Sequence, residues 1–253
     1  MQIQINHALS KQSPALAFWH EDTATTYALP MNAPLAHLIA GSMGFPSKMP
    51  GTSYGIPAEM CNVGSKLAKI KGTTCHGCYA LKGNYVYHDV KRAQYIRLAG
   101  IRHPRWSEAM ALMLNAMHGL APRPRGLKQK KVKSKGWHRW MDAGDLQSVP
   151  HLAAICRVCE LTPKIRHWLP TRETAILIAY VKAGGIIPDN LTVRVSATKV
   201  DGSATSTWLW TSGVHDQLAP QGMPCNAPKT ANECKSCRAC WSRDVAHVSY
   251  HKH

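Results

Sequence analysis

Acidic residues are scarce in this chain. Its 253 residues include 14 Asp and Glu against 31 Lys and Arg, a formal net charge of +17. Such a balance disfavours cationic partners and favours nucleic acid or another phosphate-bearing ligand. Phenylalanine is almost missing, with two residues. No run of about 18 uncharged apolar residues occurs, so no membrane span is predicted. The start, Met1-Gln2-Ile3-Gln4-Ile5-Asn6, has no basic stretch leading into an apolar one, so no secretory signal is expected. A reducing compartment follows, where thiols stay available to metals. A Walker A loop, a dinucleotide fingerprint and a Gly-x-Ser-x-Gly elbow are all lacking, which leaves the commonest nucleotide-binding and hydrolase motifs without support.

What is present is cysteine, nine of them, in two clusters and one outlying pair. The first cluster is Cys61-x13-Cys75-x2-Cys78. The second is Cys225-x8-Cys234-x2-Cys237-x2-Cys240. Two cysteines separated by two residues can turn both sulfurs toward one centre, and soft thiolates select zinc, copper(I) or iron–sulfur. Gly72 and Gly77 flank the first cluster and permit close backbone approach. No His stands at a zinc-finger spacing from these cysteines. Cys234-x2-Cys237-x2-Cys240 resembles the dense part of a bacterial ferredoxin pattern, so an iron–sulfur cluster, as [4Fe–4S], is the expected cofactor. Zinc is the alternative metal. Plain buried thiols or disulfides are the bland alternative, and one site shared by both groups is another. Three thiolates leave one iron open, whereas four close a cube. Cys156 and Cys159 fall on the apolar face of a predicted helix and read as core.

The expected architecture is α/β, a partial (β/α) barrel-like parallel sheet with cysteine-rich cluster-binding loops. Strands are predicted at Trp137–Met141, Ile165–Leu169 and Leu191–Val195. Helices are predicted near Asp89–Ala99, Ser107–Met117, Val149–Leu161 and Thr174–Ala183, the last stopped by Gly184-Gly185. Asp89 is read as an N-cap, and Asp145 as able to cap the helix after it. Strand, loop and helix repeating every 25 residues or so is the signature of βαβ units. Residues 1–50 read as an N-terminal segment, 51–222 as the main domain with a basic loop at 121–136, and 223–253 as a cysteine-rich segment. Tyr54–Pro57 reads as loop. His247, His251 and His253 read as a tail without a role.

In such sheets working groups gather at the carboxyl ends of the strands. Asp142, Asp145, Thr171, Arg172 and Ser196 stand there, which makes them candidates for cofactor binding. The run Arg123, Arg125, Lys128, Lys130, Lys131, Lys133 and Lys135 contains no acid. It is a solvated loop or a nucleic-acid contact. Trp137, Trp140, Trp208 and Trp210 lie in strand-like stretches, where core burial competes with base stacking.

Several of these motifs resemble one family together. They are Ser47–Tyr54, Cys75-His76-Gly77-Cys78-Tyr79-Ala80-Leu81-Lys82-Gly83-Asn84-Tyr85, Arg139–Ser148, Trp168–Glu173 and Cys237-Arg238-Ala239-Cys240-Trp241. The likeness is to the phage family called gene product 88, across residues 45–241. It implies a bacteriophage origin and action in the cytoplasm of an infected bacterium. A looser likeness is to phage radical-SAM-like proteins, in which a Cys, a gap and C-x2-C-Tyr-Ala precede a partial barrel. That likeness implies S-adenosylmethionine bound at an open iron held by Cys61, Cys75 and Cys78. The chain departs from the classical C-x3-C-x2-C spacing and has no clear Gly-Gly-Glu-Pro segment.

Overall fold

The computed structural model describes residues 29–122, 125, 132–204 and 207–252. Seven strands form one open, all-parallel sheet: β1 (Thr52–Tyr54), β2 (Trp137–Trp140), β3 (Arg166–Thr171), β4 (Leu191–Val200), β5 (Thr211–His215), β6 (Met223–Pro224) and β7 (His247–His251). The order is β1-β2-β3-β4-β5-β7-β6. β1 and β6 are edges that do not meet, so the sheet does not close into a barrel.

Among the described residues six α-helices accompany the sheet: α1 (Ala33–Ala40), α2 (Gly64–Leu67), α3 (His88–Gly100), α4 (Trp106–His118), α5 (Val149–Leu161) and α6 (Thr174–Lys182). From β1 to β4 each crossover steps one place in the same direction. Right-handed crossovers of that kind put their helices on one face. Accordingly α1 packs on α4, α4 on α5 and α5 on α6.

The period-2 pattern of the strands explains the two faces. Trp140, Leu169, Leu191, Val193 and Val195 are buried in the helix-side core. Tyr54, Trp106 and Trp140 meet there edge-on or tilted, with ring centroids 5.7–6.0 Å apart. The intervening residues Trp137, Arg139, Trp168, Thr192, Arg194 and Ser196 lie on the opposite face. Trp241 packs there against Trp137 and Trp168, at 5.9 and 5.1 Å.

The predicted strands and the four predicted helices are present, with ends shifted by a few residues. β4 continues past Val195 to Val200, through a register shift beyond Ser196. Met110 and Met113 are fully buried. Cys156 and Cys159 are buried on α5, as expected.

Other expectations need correction. Tyr54 is not loop: it ends β1 and pairs with Trp140. Asp89 sits in the first turn of α3, where Tyr87 is the N-cap. Ser148, not Asp145, caps α5 by accepting the His151 N–H. The expected histidine tail is strand β7, interior to the sheet between β5 and β6. Residues 33–40 join the same core as the central strands, and β6 and β7 join the same sheet. Of the basic loop, residues 123, 124 and 126–131 lie outside the described residues, as does His253. Of the four tryptophans, Trp140 is fully buried and Trp137, Trp208 and Trp210 are half-buried.

Candidate metal and cofactor site

The first cysteine group lies over the carboxyl ends of β2, β3 and β4. Three loops pin it there. Thr74 donates its N–H to the Thr198 carbonyl at 2.9 Å and its hydroxyl to Ala197 at the same distance. The Val63 N–H donates to the Glu173 carboxylate at 2.8 Å. Tyr79 donates its hydroxyl to the Asp142 carbonyl at 2.8 Å. Within Cys75-x2-Cys78 the Cys78 N–H closes on the Cys75 carbonyl at 3.1 Å, and Gly77 takes the left-handed φ of +68° that the turn needs.

The three thiols share one neighbourhood. Burial pushes the Cys61 thiol well up, and Asp145, Cys75, Cys78 and Glu173 add to the rise. Burial also raises Cys75, while the Arg172 guanidinium works against it. Gly64 borders the space between two of them. A Cβ there would stand 3.1 Å from the Cys61 Cβ and 3.5 Å from the Sγ of both Cys61 and Cys75. Gly64 starts α2 with no positive φ, so alanine suits its backbone. Gly64→Ala is therefore expected to leave the melting temperature within a few degrees yet lower metal occupancy at this site. Parallel measurement of Tm and bound metal checks this, and undiminished occupancy would contradict it.

Four of the five predicted cofactor residues converge beside these thiols. Asp145 is buried and accepts from the Thr171 hydroxyl at 2.6 Å, the Arg172 N–H at 2.8 Å and the Leu146 N–H at 2.8 Å. Burial raises its carboxyl to about 6, against the pull of those three bonds. The Arg172 guanidinium donates to Thr74 Oγ1 at 2.7 and 3.1 Å. Asp142 accepts from the Ser53 hydroxyl at 2.9 Å. Ser196 stands apart, bonded to the Ser212 hydroxyl at 3.2 Å on the face opposite the helices.

The second group lies over that face. The Cys225 N–H donates to the Ser249 carbonyl and the Cys237 N–H to the Cys234 carbonyl, each at 2.8 Å. Cys240 Sγ lies 3.1 Å from the Tyr250 hydroxyl. Burial pushes the Cys240 thiol up to about 12; Tyr250 and Arg194 oppose the rise, while Cys225 and Cys234 add to it. Burial likewise raises Cys234, helped by Cys225 and Cys237. All nine cysteines are free thiols. Cys61 and Cys75 are each influenced by other thiols of the first group, and Cys234 and Cys240 by those of the second.

Sequence reasoning missed three residues that build these sites. Arg194, fully buried, donates to the carbonyls of Ala239, Cys240, Ser242, Val245, Ala246 and Thr211 at 2.7–3.3 Å. It ties the second cysteine segment to β4. Arg139 stacks on Trp168 at 4.6 Å, donates to the Tyr79 hydroxyl at 3.1 Å and faces both groups. Its buried Nε has no partner. The third is Tyr79 itself. One signal was available for the arginines: each occupies the non-core position of a period-2 strand.

Among the described residues, no three His, Cys, Asp or Glu side chains surround a common point as ligands of a single ion. Nor is any helix long and apolar enough to cross a membrane. Neither a curated protein nor a solved structure matches the chain. The family model for gene product 88 matches residues 33–243, a span that takes in both cysteine groups and the strand ends between them, and the chain belongs to that family.

Proposed function

We propose that the chain is an iron–sulfur protein with two separate cluster sites and a redox role. Cys61, Cys75 and Cys78 would hold one cluster with an iron left open. Cys225, Cys234, Cys237 and Cys240 would hold a second, closed one. The observation that carries this reading is the gathering of seven free thiols into a group of three over the strand carboxyl ends and a group of four over the face opposite the helices.

The residues fit such groups in three respects. A single zinc ion needs its thiolates about 3.8 Å apart, given Zn–S bonds of about 2.3 Å. A cube brings its own irons and sulfides and so spaces its thiolates more widely, which suits thiols that do not already surround one point. Gly64 leaves space where a side chain would come into contact with two sulfurs and crowd the Cys61 Cβ. Thiolate-held clusters are anionic, and two arginines near the second group form no ion pair with a carboxylate among the described residues. They are Arg139, which Asp142 influences at longer range, and Arg194.

When bound, the clusters would supply one-electron chemistry. The protein's own part is positional. Asp145, fixed by three donors, and Arg172, fixed on Thr74, would hold a polar ligand beside the three-thiol site. A second reading, an enzyme that binds S-adenosylmethionine at the open iron, is favoured by the same placement of the three thiols at strand carboxyl ends.

Anaerobic purification and assay of iron and acid-labile sulfide test the proposal. Two [4Fe–4S] clusters require about eight of each per chain. The triple variant Cys61→Ala/Cys75→Ala/Cys78→Ala should lose about half of both and keep the rest. Stoichiometric zinc without sulfide would overturn the reading. Release of 5′-deoxyadenosine from S-adenosylmethionine under reduction would select the enzyme; none, with no change in the cluster's EPR signal, would reject it.

A further inference from the structure

The segment that carries the first cysteine group has an unusual outer surface. From Asn62 to His88 it contains no Asp or Glu. Lys66, Lys69, Lys71 and Lys82 are exposed along it, and none forms an ion pair among the described residues. Tyr87 is 62% exposed and Tyr79 45%, and Ile70, Leu81 and Val86 are exposed beside them. Folding ordinarily hides phenol rings and aliphatic side chains of this size, and a basic, acid-free rim that displays them has the composition of a stacking platform.

We infer that this surface binds single-stranded nucleic acid across the first cysteine site, with the lysines on phosphates and a base stacked on Tyr87. Charge complementarity selects a polyanion, since nothing in the segment offsets its lysines. The exposed rings select one with flat, apolar faces, because stacking serves every base and an acidic peptide offers no such face. Thr74 of the same segment is bonded to Arg172 and to the carboxyl end of β4, so a bound strand would run past the candidate cofactor site. The surface is independent of which metal the thiols hold. It also differs from the basic loop, of which Arg125, Lys133 and Lys135 are described.

The test is fluorescence anisotropy of a labelled single-stranded 20-mer with the full chain, purified anaerobically, over a range of salt. Removing three phosphate contacts with Lys66→Gln/Lys69→Gln/Lys71→Gln should flatten the slope of log K against log salt by about 2, at about 0.7 per contact. It should weaken binding at least tenfold at low salt. Tyr87→Ala alone should weaken binding roughly tenfold, as expected for one lost stacking contact. Both variants alter exposed side chains, and unchanged iron content confirms that the metal sites stay intact. The inference is overturned by no binding at 50 mM salt, by an unchanged slope in the lysine variant, by indifference to Tyr87→Ala, or by polyglutamate competing as well as the oligonucleotide. A chain without iron that still binds in this manner would overturn the cluster proposal and leave this one standing.

Discussion

Arg194→Met is expected to lower the melting temperature by roughly 10 °C or more and to strip metal from the second cysteine group. The guanidinium is fully buried, and its hydrogen-bond partners are six backbone carbonyls, four of them between Ala239 and Val245. Met has a similar length and fills the space, so the cavity contribution is small. What is lost is donors. Each carbonyl left buried without one costs about 1–3 kcal/mol, and removing one side of a buried charged network costs about 3–5 kcal/mol in all. For a domain of this size 1 kcal/mol shifts the melt by about 2–4 °C. Arg194→Lys should recover less than half of the loss, because one ammonium cannot spread over six acceptors. Thermal melts and metal content of both variants check the expectation. A fall under about 3 °C with full metal would show that the latch does not matter.

Mild acid is expected to unfold the chain. Four histidines lie in or beside the core between the sheet and the helices. Burial holds His151 and His167 near 3, the latter with a smaller push from His118. Burial and the Lys135 cation hold His118 near 4. Burial puts His138 well below its usual value, with His167, His118 and Arg97 acting in the same direction. Thr52 bridges two of them, its hydroxyl 3.0 Å from His118 and 2.8 Å from His138. In the unfolded chain all four titrate near 6.5. Below that value the unfolded state holds more protons than the folded one, so stability falls as pH falls. Asp145 works the other way: its raised pKa costs stability above about 6, and that cost is relieved on acidification. Four groups outweigh one, and the net loss between pH 6.5 and 5 is on the order of 5 kcal/mol. The transition should be cooperative and should involve about one proton fewer in His151→Leu. A Tm that is flat from pH 7 to 5 would refute it.

The legibility of the chain followed the strength of its local patterns. Val149–Leu161 was readable because its apolar residues keep helical spacing, although its cap, Ser148, was not. The three central strands were readable because Trp137–Trp140, Arg166–Thr171 and Leu191–Val200 are each followed by a turn, and because helices separate them. β1, β5 and β7 were not. Thr52–Tyr54 has three residues, Thr211–His215 contains glycine, and His247–His251 reads as polar. Their pairing comes from neighbours already in the sheet, which local sequence does not display. The same division holds for the site. Cysteine spacing pointed to thiols that lie near one another, and the strand-end rule to Asp145, Thr171 and Arg172, which share hydrogen bonds; what either set binds is proposed from chemistry alone. Arg194 and Arg139 were hidden, because their role rests on carbonyls and rings that are remote in the chain.

The strand order has a consequence for how the molecule is made. β7 inserts between β5 and β6 but is the last of the three to be synthesised. Until it emerges from the ribosome, β6 has no neighbour, the Cys225 N–H lacks the Ser249 carbonyl, and Cys240 lacks Tyr250. The first cysteine group meets a different schedule, because its anchors at Asp142, Glu173 and Thr198 are translated earlier. Completion of the two cysteine groups is thus staggered in time, and the second is assembled only after the nascent chain has delivered β7.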